Sequence, residues 1–319
     1  MRRIWRIDQA YKGVSIQENE LAIGLGHRKY PGYNKKNFIR EIRKLGVNPH
    51  KKYIYTSNPI KASRDYCIIT DNYFKPRFIC LLFLLWICRY KLIAVLLEPV
   101  EIKPWAYSFI KKFGFLFFFI ITHDQETLEY HDGKSLFLPI SAPTLMPEKL
   151  EISKRNNLCS YLYNSRKEMT EGHVIRREFA EIAQKFSDKC KIIPTKFGLS
   201  KADFMFDTYF AIIIQNSRKD GYYSDMLLDC FACGVVPIYY GSKGYLKFFE
   251  KDGVIEIENL SDLEKVLLEL SEQDYLDRLQ WVKSNFSKVK AFYNIDEVMI
   301  ESIDTFVATR RKFSVRRKV

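Results

Sequence analysis

The stretch from Ile214 to Gly241, IQNSRKDGYYSDMLLDCFACGVVPIYYG, opens on a polar loop rich in groups that hold anions. Asn216, Arg218, Lys219, Tyr222, Tyr223, Ser224 and Asp225 lie between the apolar run YFAIII and an apolar segment with helical character. Ser224 suits an N-cap and Asp225 a first turn. A helix that starts there offers free backbone N–H groups and a positive dipole end, both suited to phosphate. Arg218 and Lys219 add charge, and the tyrosine rings can pack against a sugar or a base. The ordinary alternative is a strand, a solvated loop and a helix. A second candidate is Glu98, which follows the apolar run LIAVLL. A low-dielectric seat raises a carboxyl pKa towards a value useful to a base. The alternative role is to cap the turn before Pro99, and Glu101 is the neighbouring carboxylate.

The chain has 319 residues, 47% of them hydrophobic and 15% aromatic, enough for one large or two medium domains with a real core. The formal net charge of +13 points to an anionic partner. Much of it sits at the ends, in MRRIWR and TRRKFSVRRKV. Both ends read as solvated termini or as a peripheral contact with anionic lipid, worth ~1 kcal/mol per basic residue. No nucleic-acid-binding motif accompanies the charge, so no nucleic-acid partner is expected. The seven cysteines show no metal-ligand spacing, and Cys230 and Cys233 fall inside the apolar helical segment, as buried thiols of a reducing compartment do. His27, His50, His123, His131 and His173 form no close cluster; His123 and Asp124 meet at a strand end, where a turn or capping role competes with an active-site one. FICLLFLLWIC (78–88) and FGFLFFFII (113–121) are too short to span a bilayer and are expected as buried helix or strand. Residues 1–20 lack the apolar core of a signal peptide, so the protein is expected in the cytoplasm, peripherally at the inner face of the membrane if the basic ends engage it.

Those candidates need a scaffold. KYIYTS, DYCIIT, LIAVLLEP, FFFIITHD and SLFLPI read as strands covered on both faces, with a helix at NKKNFIREIRKLG between the early ones. Residues 141–157 hold two prolines, several charges and no apolar period, as a linker does. After it come strands at 158–165, KCKIIP, YFAIIIQN, VVPIYYG and GVIEIE. Helices are expected at IRREFAEIAQKF, after Tyr223, at 261–270 and at 273–289. The expectation is an α/β protein of two doubly wound Rossmann-type domains facing a cleft: residues 1–145, residues 146–300 and a basic tail, 301–319.

YFAIIIQNS followed by GYYSDMLLDCFACGVVPIYYGS resembles the donor-binding signature of glycosyltransferase family 10, the α-1,3-fucosyltransferases. The matching positions are Asn216, Tyr223, Ser224, Asp225, Gly234, Pro237, Ile238, Tyr239 and Gly241. LLEPVEIKPWAY, IITHDQE, LFLPI and CSYLYNSRKEMTEGHVIRREF follow the family's other segments in the same order, so the resemblance covers roughly Ala94 to Phe292.

The resemblance implies a GT-B-like fold and transfer of fucose from GDP-fucose to an acceptor sugar hydroxyl, with inversion at the anomeric carbon. The acceptor would belong to a glycan or a lipid-linked saccharide such as a lipopolysaccharide. Glu98 would be the base. Asn164 and Ser165 would meet phosphate or ribose, Arg176 or Arg177 the diphosphate, and Asp225 the ribose hydroxyls; Asn216, Arg218, Lys219, Tyr223 and Ser224 would complete the donor site. No obligatory metal or other cofactor is expected, because no metal-ligand set and no D-x-D motif is present. Two positions depart from the family: Met226 stands where the family has a phosphate-binding lysine, and Gln215 where it has a glutamate. Loss of that lysine removes a charge-assisted contact of ~1.5–3 kcal/mol, which Lys219, Arg218 or Lys243 would have to replace. The competing readings are a transferase with another nucleotide-sugar donor and a non-catalytic binding protein on the same fold.

Overall fold

A computed structural model describes residues 2–7, 53–56, 66–71, 74–75, 79–87, 91–138, 141–152, 154–163, 171–194 and 205–293, with Val298, Ser302 and Thr305. The helix expected at 34–46, the candidates Asn164 and Ser165, and nearly all of the basic tail lie outside these residues.

The described strands form two all-parallel sheets. The first holds β1 (Arg2–Ile7), β2 (Tyr53–Thr56), β3 (Tyr66–Thr70), β4 (Lys91–Val95), β5 (Phe117–Thr122) and β6 (Ser135–Phe137), in the order β2-β1-β3-β4-β5-β6. The second holds β7 (Asn157–Tyr163), β8 (Cys190–Pro194), β9 (Thr208–Ile214), β10 (Val236–Tyr240) and β11 (Ile255–Glu256), in the order β11-β10-β9-β7-β8. Both wind alike. The second strand lies on one side of the first, and the third starts a run on the other. The winding direction therefore reverses between β1 and β3, and again between β7 and β9. Loops at such reversals part at the carboxyl ends of the strands and leave a crevice where ligands bind.

Helices α1 (Ile79–Ile87), α2 (Pro104–Phe113) and α3 (Gln125–Tyr130) belong to the first half. The second half carries α4 (Glu171–Lys185), α5 (Asp225–Cys233), α6 (Leu260–Glu269), α7 (Glu272–Asp277) and α8 (Leu279–Val289). The single helix expected at 273–289 is thus two. Arg278, at φ −92° and ψ 0°, interrupts it, and Ser271 starts α7 with a reciprocal capping box to Asp274.

Every residue of β9 and β10 is buried, because the second sheet is covered on both faces. Phe210 and Ile212 pack with Tyr161, Phe179, Leu263 and Leu267 on one face. Ala211 and Ile213 pack with Leu227, Leu228, Phe231 and Tyr239 on the other. Full burial of each large side chain contributes roughly 1.5–3 kcal/mol. At the start of β9, Arg155 is buried, and among the described residues no carboxylate pairs with it. It donates to the carbonyls of Cys233 (2.8 Å), Gly234 (3.2 Å), Met205 (3.1 Å) and Thr208 (2.5 Å). A cation suits the negative end of α5, which stops where Gly234 turns left-handed at φ +64°.

The first half departs from expectation at FICLLFLLWIC. It forms α1, but Leu84, Trp86 and Ile87 are 57, 44 and 67% exposed, so only one side of the helix is buried. Among the described residues, no helix is long and apolar enough to cross a membrane. The proline-containing stretch after β6 is irregular, yet it is fixed to the second half. Asp229 on α5, fully buried, accepts from Thr144 N (2.6 Å), Thr144 Oγ1 (2.7 Å) and Leu145 N (3.0 Å).

Candidate functional site

The carboxyl ends of β3, β4 and β5 meet the loop that follows β9, and the candidate groups gather there. On the first side, β3 ends in Asp71, which is fully buried. Its Oδ2 accepts from the backbone N–H groups of Leu97 (3.1 Å) and Glu98 (3.0 Å), and its Oδ1 from the Lys103 ammonium (2.8 Å). Tyr107 donates its hydroxyl to the Glu98 carbonyl at 2.8 Å. The backbone carrying Glu98 is therefore held from three directions, and its half-buried side chain projects from a fixed point. Next along the sheet, Asp124 caps α3 by accepting from Thr127 N (2.8 Å) and Thr127 Oγ1 (2.6 Å). Capping was the ordinary alternative read for this strand end.

On the second side, β9 leads through Gln215 and Asn216 to a tight loop. Ser242 Oγ donates to the Tyr222 carbonyl at 2.7 Å and pins that loop to the end of β10. Gly221 sits at φ +92°, and a Cβ there would strike the His123 carbonyl oxygen and approach Phe137 Cε2 to 2.8 Å. Only glycine lets the loop lie against the first half so closely.

Tyr222 rather than Tyr223 faces the junction. Its ring centroid lies 5.2 Å from that of His123. Burial raises its phenol well above the ordinary range, and the negative charges of Glu98 and Asp225 raise it further; Arg176 and the Asn216 amide act in the opposite sense. Tyr222 therefore stays a neutral phenol within the electrostatic reach of two carboxylates and a guanidinium. The Tyr223 ring turns into the core beside Phe249, with its buried hydroxyl unpartnered. His123, buried beside this cluster, is lowered to about 4; burial outweighs the pull of Asp124 and Asp71. It is neutral at physiological pH.

Arg176 and Arg177 point in different directions. Arg176 reaches back from α4 to the end of β9, where Nε and Nη2 donate to the Ile214 carbonyl at 3.1 and 2.6 Å. Arg177 is exposed. Burial lowers the Arg176 pKa somewhat, with Tyr161 and Tyr222 opposing, and among the described residues no carboxylate pairs with it. Arg176 thus places a half-buried cation at the carboxyl end of β9, where the reversal between β7 and β9 lies.

The remaining candidates divide. Ser224 occupies the N-cap of α5 in an extended conformation, but its hydroxyl makes no capping hydrogen bond, and Asp225 follows in the first turn. Arg218 is engaged by Glu258 and lies over the Tyr240 ring at 4.7 Å. Lys243 stands 3.7 Å from Glu256. Lys219 instead lines a cavity of about 240 Å³ against Val100, Tyr107, Lys111, Asp124 and Tyr130 of the first half. That cavity adjoins the Glu98–Tyr222 junction rather than containing it. Met226 packs against the core around Leu227 and Phe231. Gln215 is buried with its Nε2 unpartnered, and Asn216 Oδ1 is likewise unpartnered. One group, Asp71, escaped sequence reading, and the sequence did not rank Tyr222 against Tyr223. Asp71 had a signal, an acid directly after the strand DYCIIT; Tyr222 had none that distinguished it from Tyr223. Among the described residues, no cluster of three or more His, Cys, Asp or Glu is arranged to hold a metal ion.

No family model matches the sequence, and no curated protein is significantly similar to it. Solved structures are. An α1,3-fucosyltransferase aligns over 92% of this chain and 91% of its own, with 14% identity and a TM-score of 0.52. The same enzyme with GDP-fucose aligns over 92% and 90%, with 14% identity and a TM-score of 0.50. Anabaena HepE in complex with UDP and glucose aligns over 76% and 78%, with 10% identity and a TM-score of 0.51. What the chain shares with these proteins is their architecture, the GT-B glycosyltransferase fold with its two Rossmann-like domains.

Proposed function

We propose that the protein is an inverting glycosyltransferase that moves fucose from GDP-fucose to a hydroxyl of an acceptor sugar. The observation that carries this reading is that a carboxylate, Glu98, and a guanidinium, Arg176, both act on Tyr222, where the loop after β9 meets the carboxyl end of β5. Glu98 accepts the proton of the acceptor hydroxyl as that oxygen bonds to the anomeric carbon. The bond from that carbon to the diphosphate oxygen breaks on the opposite face, and the nucleoside diphosphate leaves with the electron pair. Arg176 and the N–H groups at the start of α5 offset the charge that develops on it. Tyr222, neutral and close to all three charges, donates a hydrogen bond between base and donor. Asp225 holds the ribose hydroxyls.

Met226 favours a second reading within the same class. It supplies no cation, and Arg218 and Lys243 already face glutamates, so another nucleotide-sugar donor is the alternative. Calorimetric titration with GDP, UDP, CMP and GDP-fucose, without added metal, separates them. Selective GDP and GDP-fucose binding supports the fucosyl reading; UDP or CMP binding keeps the transferase and changes the sugar. Glu98→Gln should keep donor binding and lose roughly 10²–10⁴-fold in turnover. Near-normal turnover would remove Glu98 as the base.

A further inference from the structure

The exposed side of α1 has no counterpart in the transferase reading and does not rest on it. ICLLFLLWI is apolar all round, a composition that belongs to a helix covered on every side. Here Leu84, Trp86 and Ile87 face outward. Phe115, 59% exposed, extends the surface, and its ring lies 6.2 Å from Trp86 and 6.3 Å from Phe83. An apolar aromatic face of this kind marks an interaction site.

Its charge identifies the partner. The helices and strands around it, α1, β4, α2 and β5, carry Lys91, Lys111 and Lys112 and no aspartate or glutamate. Lys112 is exposed and lies over the Phe113 ring at 5.3 Å; Lys91, also exposed, lies over Phe118 at 5.5 Å. Aromatic and aliphatic side chains rimmed by lysines match the boundary between anionic headgroups and acyl chains. A second copy of the same face would oppose cation to cation. The face has a definite place in the fold. Ile87 precedes β4 and Phe115 precedes β5, so both lie at the amino ends of these strands, roughly 20 Å along the sheet from the junction at their carboxyl ends.

We infer that this face docks the first domain on an anionic lipid bilayer, with Trp86, Ile87 and Phe115 entering the interface and the cleft held away from it. The test is co-sedimentation of the full chain with vesicles of equal parts phosphatidylcholine and phosphatidylglycerol. The wild type should bind, should bind less as salt rises, and should bind pure phosphatidylcholine poorly. Trp86→Ser with Phe115→Ser should cost at least ~10-fold in partitioning. Lys91→Glu with Lys112→Glu, which leaves the apolar residues alone, should cost at least roughly fivefold per lysine. All variants keep the basic tail. Unchanged partitioning of both double variants would overturn the proposal and give membrane binding to the tail. No binding by the wild type, or a dimer in sedimentation equilibrium that Trp86→Ser with Phe115→Ser converts to monomer, would overturn it as well.

Discussion

Asp71 offers the sharpest perturbation, because one fully buried carboxylate serves two backbone N–H groups and one ammonium. Asp71→Ala removes the carboxylate from beside the Lys103 ammonium, on a side chain only 13% exposed, and takes the acceptor from the N–H groups of Leu97 and Glu98. Breaking a buried pair from one side costs about 3–5 kcal/mol, and each orphaned N–H about 1–3 kcal/mol where water cannot reach it. Relaxation around the new space lets water reach part of this, so a net loss of about 4 kcal/mol is expected, a large share of a typical domain's stability. Lys103→Met should cost less, about 1–2 kcal/mol, because Asp71 keeps both N–H partners. Denaturant unfolding of the two variants and their double mutant measures the ranking and the coupling. A cost for Asp71→Ala below about 0.5 kcal/mol, or a larger cost for Lys103→Met, would refute the view that Asp71 organises the β4 terminus. Turnover adds a second readout. If Glu98 is the base, Asp71→Asn should lower kcat with little change in donor affinity, since the donor groups lie in the other domain.

Two further tests probe the junction. His123 has a folded pKa of about 4, below the ordinary value of 6.5. Its contribution to stability is whole above pH 6.5 and falls away as pH drops through 4, by about 3 kcal/mol. His123→Phe should flatten that part of the stability profile, and an unchanged slope between pH 6.5 and 4 would contradict its burial as a neutral ring. Gly221→Ala should lower the midpoint of unfolding more than Gly133→Ala does. Both sit at positive φ, but a Cβ at Gly221 meets the His123 carbonyl, whereas one at Gly133 meets nothing within 4 Å. Equal losses, near the ~1–2 kcal/mol of a left-handed residue alone, would mean that the loop does not seat against the first domain.

The parts of the fold legible in the sequence were those written as short apolar runs. The strands from DYCIIT onward, the helix after Tyr223 and the break before Leu158 follow from period and turn composition, because a doubly covered parallel strand has no polar face to disguise it. The orientation of long side chains did not follow. Arg176 and Arg177 both fall off the apolar face of α4, and only the structure shows Arg176 folding back to Ile214. Tyr222 and Tyr223 exchange places for a similar reason, since a tight loop with Gly221 at positive φ has no period. Ser224 reads as a cap, and its backbone obeys, yet its hydroxyl does not cap. FICLLFLLWIC reads as buried because composition records how apolar a helix is and not whether anything covers it.

The connection between the domains has a mechanical consequence. Read by composition it is a slack tether, rich in proline and charge. In the structure, Ser141 Oγ donates to the Tyr223 carbonyl (2.8 Å), Thr144 and Leu145 are fastened to Asp229, the Tyr293 hydroxyl donates to the Pro147 carbonyl (3.2 Å) and Lys290 Nζ to the Glu148 carbonyl (2.9 Å). From Ser141 onward the tether moves with the second domain as cargo. Any rearrangement between the halves therefore carries residues 141–148, Tyr223 and Asp229 together as one piece.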